Sequence, residues 1–132
     1  MNINLVVDPN TPTIPDHENI ILNDIMNIPT TSCQSVVMNN VVNYLTDEHI
    51  VAVLEKIRHN GTITISSIDA TLLASRFYRN DIDLQTFSKA VQGSYQQHTL
   101  IEMRDMFQNH GYEIESATTV NNLSFYLKVK RP

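Results

Sequence analysis

The stretch from Thr46 to Asp69, TDEHIVAVLEKIRHNGTITISSID, constrains the fold of this chain more than any other. Ile50, Leu54 and Ile57 recur at i, i+4 and i+7, with Val51, Ala52 and Val53 beside them, which is the stripe of a helix laid on an apolar surface. Thr46 is placed to cap that helix. Asp47 and Glu48 put negative charge on its first turn, and Lys56, Arg58 and His59 put positive charge on its last. Asn60-Gly61 then predicts a left-handed stop. Thr62 to Ser67 follows as a β-rich run, and Asp69 closes it. A helix, a glycine stop, a strand and an acidic exit make half of an α/β unit with a parallel sheet.

The segments before it repeat one pattern. Ile3 to Val7 is a short apolar run closed by Asp8-Pro9, the signature of a buried parallel strand. Pro9, Pro12 and Pro15 exclude a helix from the next ten residues. Asn19 to Leu22 is a second strand candidate ending in Asn23-Asp24, and Ser35 to Met38 a third, ending in Asn39-Asn40. Ligands bind at the carboxyl ends of strands in open α/β sheets, and Asn and Asp also favour turns, so both readings attach to these pairs.

After the central stretch, Ala70 to Tyr78 reads as a helix capped by Asp69, with Leu73 and Phe77 four apart, and Arg79-Asn80-Asp81 breaks it. Leu84, Phe87 and Val91 mark a short helix ended by Gly93. Thr99-Leu100-Ile101-Glu102 is a capping box for a helix whose buried stripe is Leu100, Met103 and Phe107, with His110-Gly111 at its end. Tyr112 to Val120 and Leu123 to Val129 read as an antiparallel hairpin turning at Asn121-Asn122. Phe125, Leu127 and Val129 alternate with Ser124, Tyr126, Lys128 and Lys130, which predicts one wet face.

Composition narrows the class. At 132 residues, with 42 % hydrophobic and 17 % charged side chains, the chain suits one domain spanning residues 1–132. A net charge of -5, with no basic cluster larger than Lys128, Lys130 and Arg131, argues against a nucleic-acid partner. The lone Cys33 excludes an internal disulfide and reads as a partly buried, inert thiol in a reducing compartment. The five histidines never fall at H-x-x-x-H spacing, so no metal site is expected. His59 and His110 precede helix-stopping glycines, where a cation suits the helix dipole. No apolar run approaches the roughly 20 residues that span a bilayer, and no membrane partner is expected. Asp81, Asp83 and Glu102 offer carboxylates, but capping accounts for Asp83 and Glu102. The expected location is the cytoplasm, or a virion assembled from it.

In this order the elements resemble the Rossmann-like S-adenosylmethionine-dependent methyltransferases, from about residue 3 to the C-terminus. LVVDPN looks like that family's second strand, ILNDIMNIP its third strand and following loop, SVVMNNVVNYL its fourth, and HIVAVLEKIRHNGTITISSID its next helix and fifth strand. The closing helix and hairpin match the sixth and seventh strands. The resemblance implies an α/β methyltransferase fold with an incomplete, mostly parallel sheet and a C-terminal antiparallel hairpin. It implies S-adenosylmethionine as cofactor, with Asp8 at the ribose, Asn23, Asp24 and Ile25 flanking the adenine, and Asn39 and Asn40 facing the methyl donor. Residues 70 to 98 match the variable substrate-covering insert and carry no diagnostic motif, so no catalytic residue is assigned.

One departure from the family weighs against catalysis. The family opens with a strand and a glycine-rich loop whose backbone approaches the methionine end of the cofactor, where a Cβ would collide. This sequence matches the family from the second strand onward, a truncated pattern, and its three glycines read as helix stops or loop residues. Family sheets run 3-2-1-4-5-7-6, so the unmatched strand is central, and strands two and four are expected to close up or to take a strand from another chain. The expectation is a non-catalytic, pseudoenzyme-like module that self-assembles as a homo-oligomer or binds a protein partner, such as a viral component. Tyr44, Phe77, Tyr78 and Tyr95 are its candidate anchors. The alternative is an active methyltransferase whose cofactor loop comes from another chain.

Overall fold

A computed structural model describes residues 1–121 and 123–132. Its strands are β1 (Asn2–Val6), β2 (Glu18–Ile21), β3 (Cys33–Asn39), β4 (Ile57–Ile68), β5 (Glu113–Val120) and β6 (Ser124–Lys130). Its α-helices are α1 (Asp47–Lys56), α2 (Ala70–Tyr78), α3 (Leu84–Val91) and α4 (Leu100–Asn109). Short 3-10 helices, Leu22–Asn27 and Val42–Tyr44, lead out of β2 and β3. Residues 9 to 17, with their three prolines, carry no helix. Asn121 takes the positive φ expected of the hairpin turn (56°), while Asn122 lies outside the described residues.

The strands form one sheet in the order β2-β1-β3-β4-β6-β5. The pairs β1–β2, β1–β3 and β3–β4 are parallel, and β4–β6 and β5–β6 antiparallel. β1 therefore pairs directly with β3, the closing up expected of these two strands. That ladder is short. It runs only from Asn2–Ser35 to Asn4–Val37, while β1 stays paired to β2 as far as Val6 and β3 to β4 as far as Asn39.

Alternation decides which face of the sheet holds the core. Val36, Met38, Ile63, Ile65, Phe125, Leu127 and Val129 are buried on one face, under α1 and α4, with Val53, Met103 and Phe107 packed onto them. Thr62, Thr64, Ser66, Ser124, Tyr126 and Lys128 occupy the other face and are half-buried. Over β1 and β3 the proline-rich segment shields that polar face, with Asn4 Nδ2 donating to Asn19 Oδ1 (3.0 Å) and His17 Nε2 meeting Ser35 Oγ (3.0 Å). The hairpin's expected wet face is thus continuous with a polar face on β4.

The helix boundary at the centre of the chain differs from the sequence reading. α1 ends at Lys56, and Ile57 is already extended (φ -77°, ψ 127°), pairing with Cys33 and fully buried. An isoleucine that completes a helical stripe equally completes a strand, and the core surface claims it here. Arg58 and His59 consequently sit in a bulge at the start of β4, past the last turn of α1 and not in it, and His59 Nδ1 meets Pro132 O (3.1 Å). The left-handed residue is Asn60 (φ 64°). Gly61 is required for space instead, because a Cβ there would lie 2.9 Å from the carbonyl oxygens of Arg58 and Cys33.

The caps hold with one exchange. Thr99 Oγ1 accepts from Glu102 N (3.1 Å), but Glu102 turns its carboxylate to His98 Nδ1 (2.9 Å), leaving a single-armed cap. The reciprocal box forms at α1, where Thr46 Oγ1 accepts from His49 N (3.3 Å) and His49 Nδ1 accepts from Thr46 N (3.2 Å). Asp83 caps α3 through Thr86 N (2.8 Å), a bond that holds its carboxyl below the usual range. Cys33 is fully buried, deeper than its sequence context suggests.

Candidate functional site

The carboxyl ends of the parallel strands open into a cavity of about 250 Å3, set where β1 and β3 part company. Asp8 and the segment Thr11 to Ile14 wall one side, and Asn39, Asn40 and Val41 the other. Both walls are fixed by local chemistry. Asp8 Oδ1 accepts from Asn10 N (2.9 Å) and its carbonyl accepts from Thr11 N (3.1 Å) and Thr11 Oγ1 (2.6 Å), a tight Asx-type turn held by proline. Asn40 leaves β3 in the left-handed region (φ 57°), with its N–H on Ser66 O (2.6 Å).

The structure brings Asp8, Asn39 and Asn40 to this one cavity. The other three residues singled out from the sequence stand apart from its wall. Asn23 and Asp24 are exposed on the 3-10 helix after β2, and Ile25 points into the core with no exposed surface. A turn of helix buries one residue in three or four, and the apolar Ile25 takes that place.

A second recess, about 130 Å3, lies beside the first between the ends of β3 and β4 and the helix α3. Asn40 and Ser67 floor it, and Asn43, Tyr44, Lys89 and Ser94 ring it. Asn43 is only 5 % exposed, and its Oδ1 has no partner among the described residues. Its carbonyl takes the N–H groups of Tyr95 (2.8 Å) and Gln96 (3.1 Å), which ties the α3–α4 connection down over the site. The sequence reading passed over Asn43. The signal was there, a lone amide inside the apolar run VVNYL. Among the described residues Lys89 is the one basic side chain lining either cavity, and no cluster of His, Cys, Asp and Glu is arranged to hold a metal.

Comparison with solved structures identifies the architecture. A Mesorhizobium loti S-adenosylmethionine-dependent methyltransferase superposes with a TM-score of 0.65 over 98 % of this chain and 80 % of its own, at 11 % identity. The fold is that of the Rossmann-like methyltransferases. A Thermotoga maritima S-adenosylmethionine-dependent methyltransferase matches with a TM-score of 0.60 over 88 % of this chain and 64 % of its own, at 9 % identity. The pyocyanin biosynthetic protein PhzM matches at 0.58 over 86 % of this chain, at 12 % identity, and there the chain spans only 35 % of the other protein's length. No family model and no curated protein sequence matches the chain. At these identities the likeness is one of fold. In its terms β2, β1, β3, β4, β6 and β5 stand as strands 3-2-4-5-7-6, the methyltransferase order with the central strand left out.

Proposed function

We propose that this chain is a methyltransferase-like module that does not catalyse by itself and acts by binding protein, in the cytoplasm or in a virion. The observation that carries the reading is the wall of the β1–β3 cavity, which contains neither a glycine nor a basic side chain. Asp8 fits the ribose end of S-adenosylmethionine, since Oδ1 is taken by Asn10 and Oδ2 is left to accept from a hydroxyl. Asn39 and Asn40 add amides beside it. The methionine end does not fit: its carboxylate needs backbone N–H groups at close approach or a cation, and this wall offers side chains and an acid. Transfer of a methyl group needs the reacting atoms held near about 3–3.5 Å, which half a cradle does not achieve. Calorimetric titration of the isolated chain with S-adenosylmethionine tests this. Binding weaker than about 10 µM, or none, is expected; a tighter constant, some 7 kcal/mol or more, overturns the reading.

A second reading, an active methyltransferase completed by a cofactor loop from another chain, draws support from the splay of the sheet. The β1–β3 ladder stops at Asn4 and Val37 although both strands continue, leaving two strand edges facing a cavity. Cofactor binding that arises only on adding a second polypeptide favours this reading over the first.

A further inference from the structure

Apart from the strand-end cavities, α1 and α4 flank a groove of about 220 Å3. α1 contributes Ile50, Val51 and Leu54, which share one face at i, i+1 and i+4, and α4 contributes Met103 and Met106. Val51 is 50 % exposed, and Ile50, Leu54 and Met106 are half-buried, so much apolar surface faces water. The groove runs on past Leu54 and His110 into a larger depression of about 440 Å3 bounded by Tyr112 and Arg131.

Carboxylates outnumber the Lys and Arg side chains around it. Asp47 and Glu102 line the groove, the latter facing His98 Nδ1 (2.9 Å), Glu55 lines the adjoining depression with Arg131, and Glu48 on α1 and Asp105 on α4 are exposed outside the lining. Asp47, Glu48 and Glu55 make no ion pair among the described residues, and Asp105 meets only the neighbouring Arg104, at 3.7 Å. Lys56, the basic residue of α1, is turned inward and 6 % exposed. A second copy presents the same acids and carries the same net charge of -5, so groove-to-groove pairing opposes like charges.

From the apolar walls, their helical spacing and the acidic rim together, we infer that the α1–α4 groove docks a basic amphipathic helix of a different protein. Two helices side by side present a furrow that a third helix fills with side chains at i, i+3, i+4 and i+7, and methionine walls adapt to varied anchors. Lys or Arg flanking those anchors then reaches Asp47, Glu55 and Glu102. The inference rests on the reading of the chain as a protein-binding module and gives that reading a partner chemistry.

The test uses a fluorescent Leu/Lys peptide of roughly 18 residues, five helical turns, with its leucines at helical spacing, and a scrambled peptide of the same composition. Anisotropy titration of the full chain is expected to show saturable binding, at least about tenfold tighter than for the scramble, weakening with salt. Val51→Lys and Met106→Lys, both at partly exposed positions, are expected to abolish the preference, while Thr118→Ala, exposed on the edge strand β5 and outside the groove lining, leaves it unchanged. Equal affinity for the two peptides, or an unaltered Val51→Lys variant, overturns the proposal. So does a wild-type mass of two chains that falls to one in Val51→Lys, the sign of a second copy in the groove. Tight S-adenosylmethionine binding with these peptide results intact defeats the non-catalytic reading alone; no peptide preference together with no cofactor binding defeats the groove alone.

Discussion

Asp69 shows how much one side chain organises here. It is 5 % exposed, and its Oδ1 accepts from Thr71 N (2.8 Å) and Leu72 N (3.1 Å), while Oδ2 accepts from Leu100 N (2.8 Å). One carboxylate therefore caps both α2 and α4. Asp69→Ala leaves the first turns of two helices with buried, unanswered N–H groups and is expected to cost about 2–4 kcal/mol in urea unfolding. Asp69→Asn is expected to cost nearly as much, because its single oxygen serves one helix and its NH2 group faces the donors of the other. The sequence revealed half of this, since an acid before an apolar helix reads as a cap. The partner 31 residues away did not show, because a long-range bond leaves no local pattern. Gly61 misled for the opposite reason: glycine after asparagine at a helix end looks like a stop, whereas here only its lack of a Cβ matters. Gly61→Ala, at 2.9 Å from two backbone oxygens, should destabilise by about 1–3 kcal/mol.

At the scale of elements, period was legible and boundaries were not. β4 alternates as read, and its two faces should answer differently to substitution. Ile65→Ala, in the core under the helices, is expected to cost about 2–5 kcal/mol, and Thr64→Val, on the polar face, to stay within about 0.5 kcal/mol. Equal effects at the two sites would mean that something covers both faces. Tyr112 joins α4 to the sheet edge, packing against Phe107 (5.5 Å between rings) with its hydroxyl on Leu54 O (3.3 Å). Burial pushes the Tyr112 hydroxyl above its ordinary range, partly opposed by the charge of Arg131. A folded value above the unfolded one means that the unfolded chain loses this proton first, so stability is untouched below about pH 10 and falls as pH rises beyond it. Melting temperatures of the wild type and Tyr112→Phe should diverge least at neutral pH in slope, with the variant showing the flatter alkaline decline.

The whole molecule raises the question of what its remaining surface is for. The fold class was legible because each strand and helix carried its own period, and three of the six candidate site residues meet at one cavity. Asn23, Asp24 and Ile25 went elsewhere, since a sequence shows that a loop leaves a strand end without showing which way it turns. The sheet's two edges are poor routes to assembly. β2 is four residues long, and β5, though eight, carries Glu113 and Glu115 and a register shift between Ile114 and Ser116. The α2–α3 region is different. α3 buries no residue and is held to α2 through Phe77 on Phe87, with centroids 4.6 Å apart. Around it Tyr78 (88 % exposed), Tyr95 (66 %) and Leu84 (64 %) stand in water, with Tyr44 anchored near Tyr95. Aromatic side chains of this exposure are the anchors interfaces favour, and an amphipathic helix without a buried face is stabilised by covering it. Self-association through this region is therefore the expected state. Light scattering at micromolar concentration should return a mass above that of one chain, and Tyr78→Glu with Tyr95→Glu should restore the single-chain mass without unfolding the sheet. A wild-type mass of 15.0 kDa, unchanged by the paired substitutions, would rule out this route and leave protein binding to the α1–α4 groove alone.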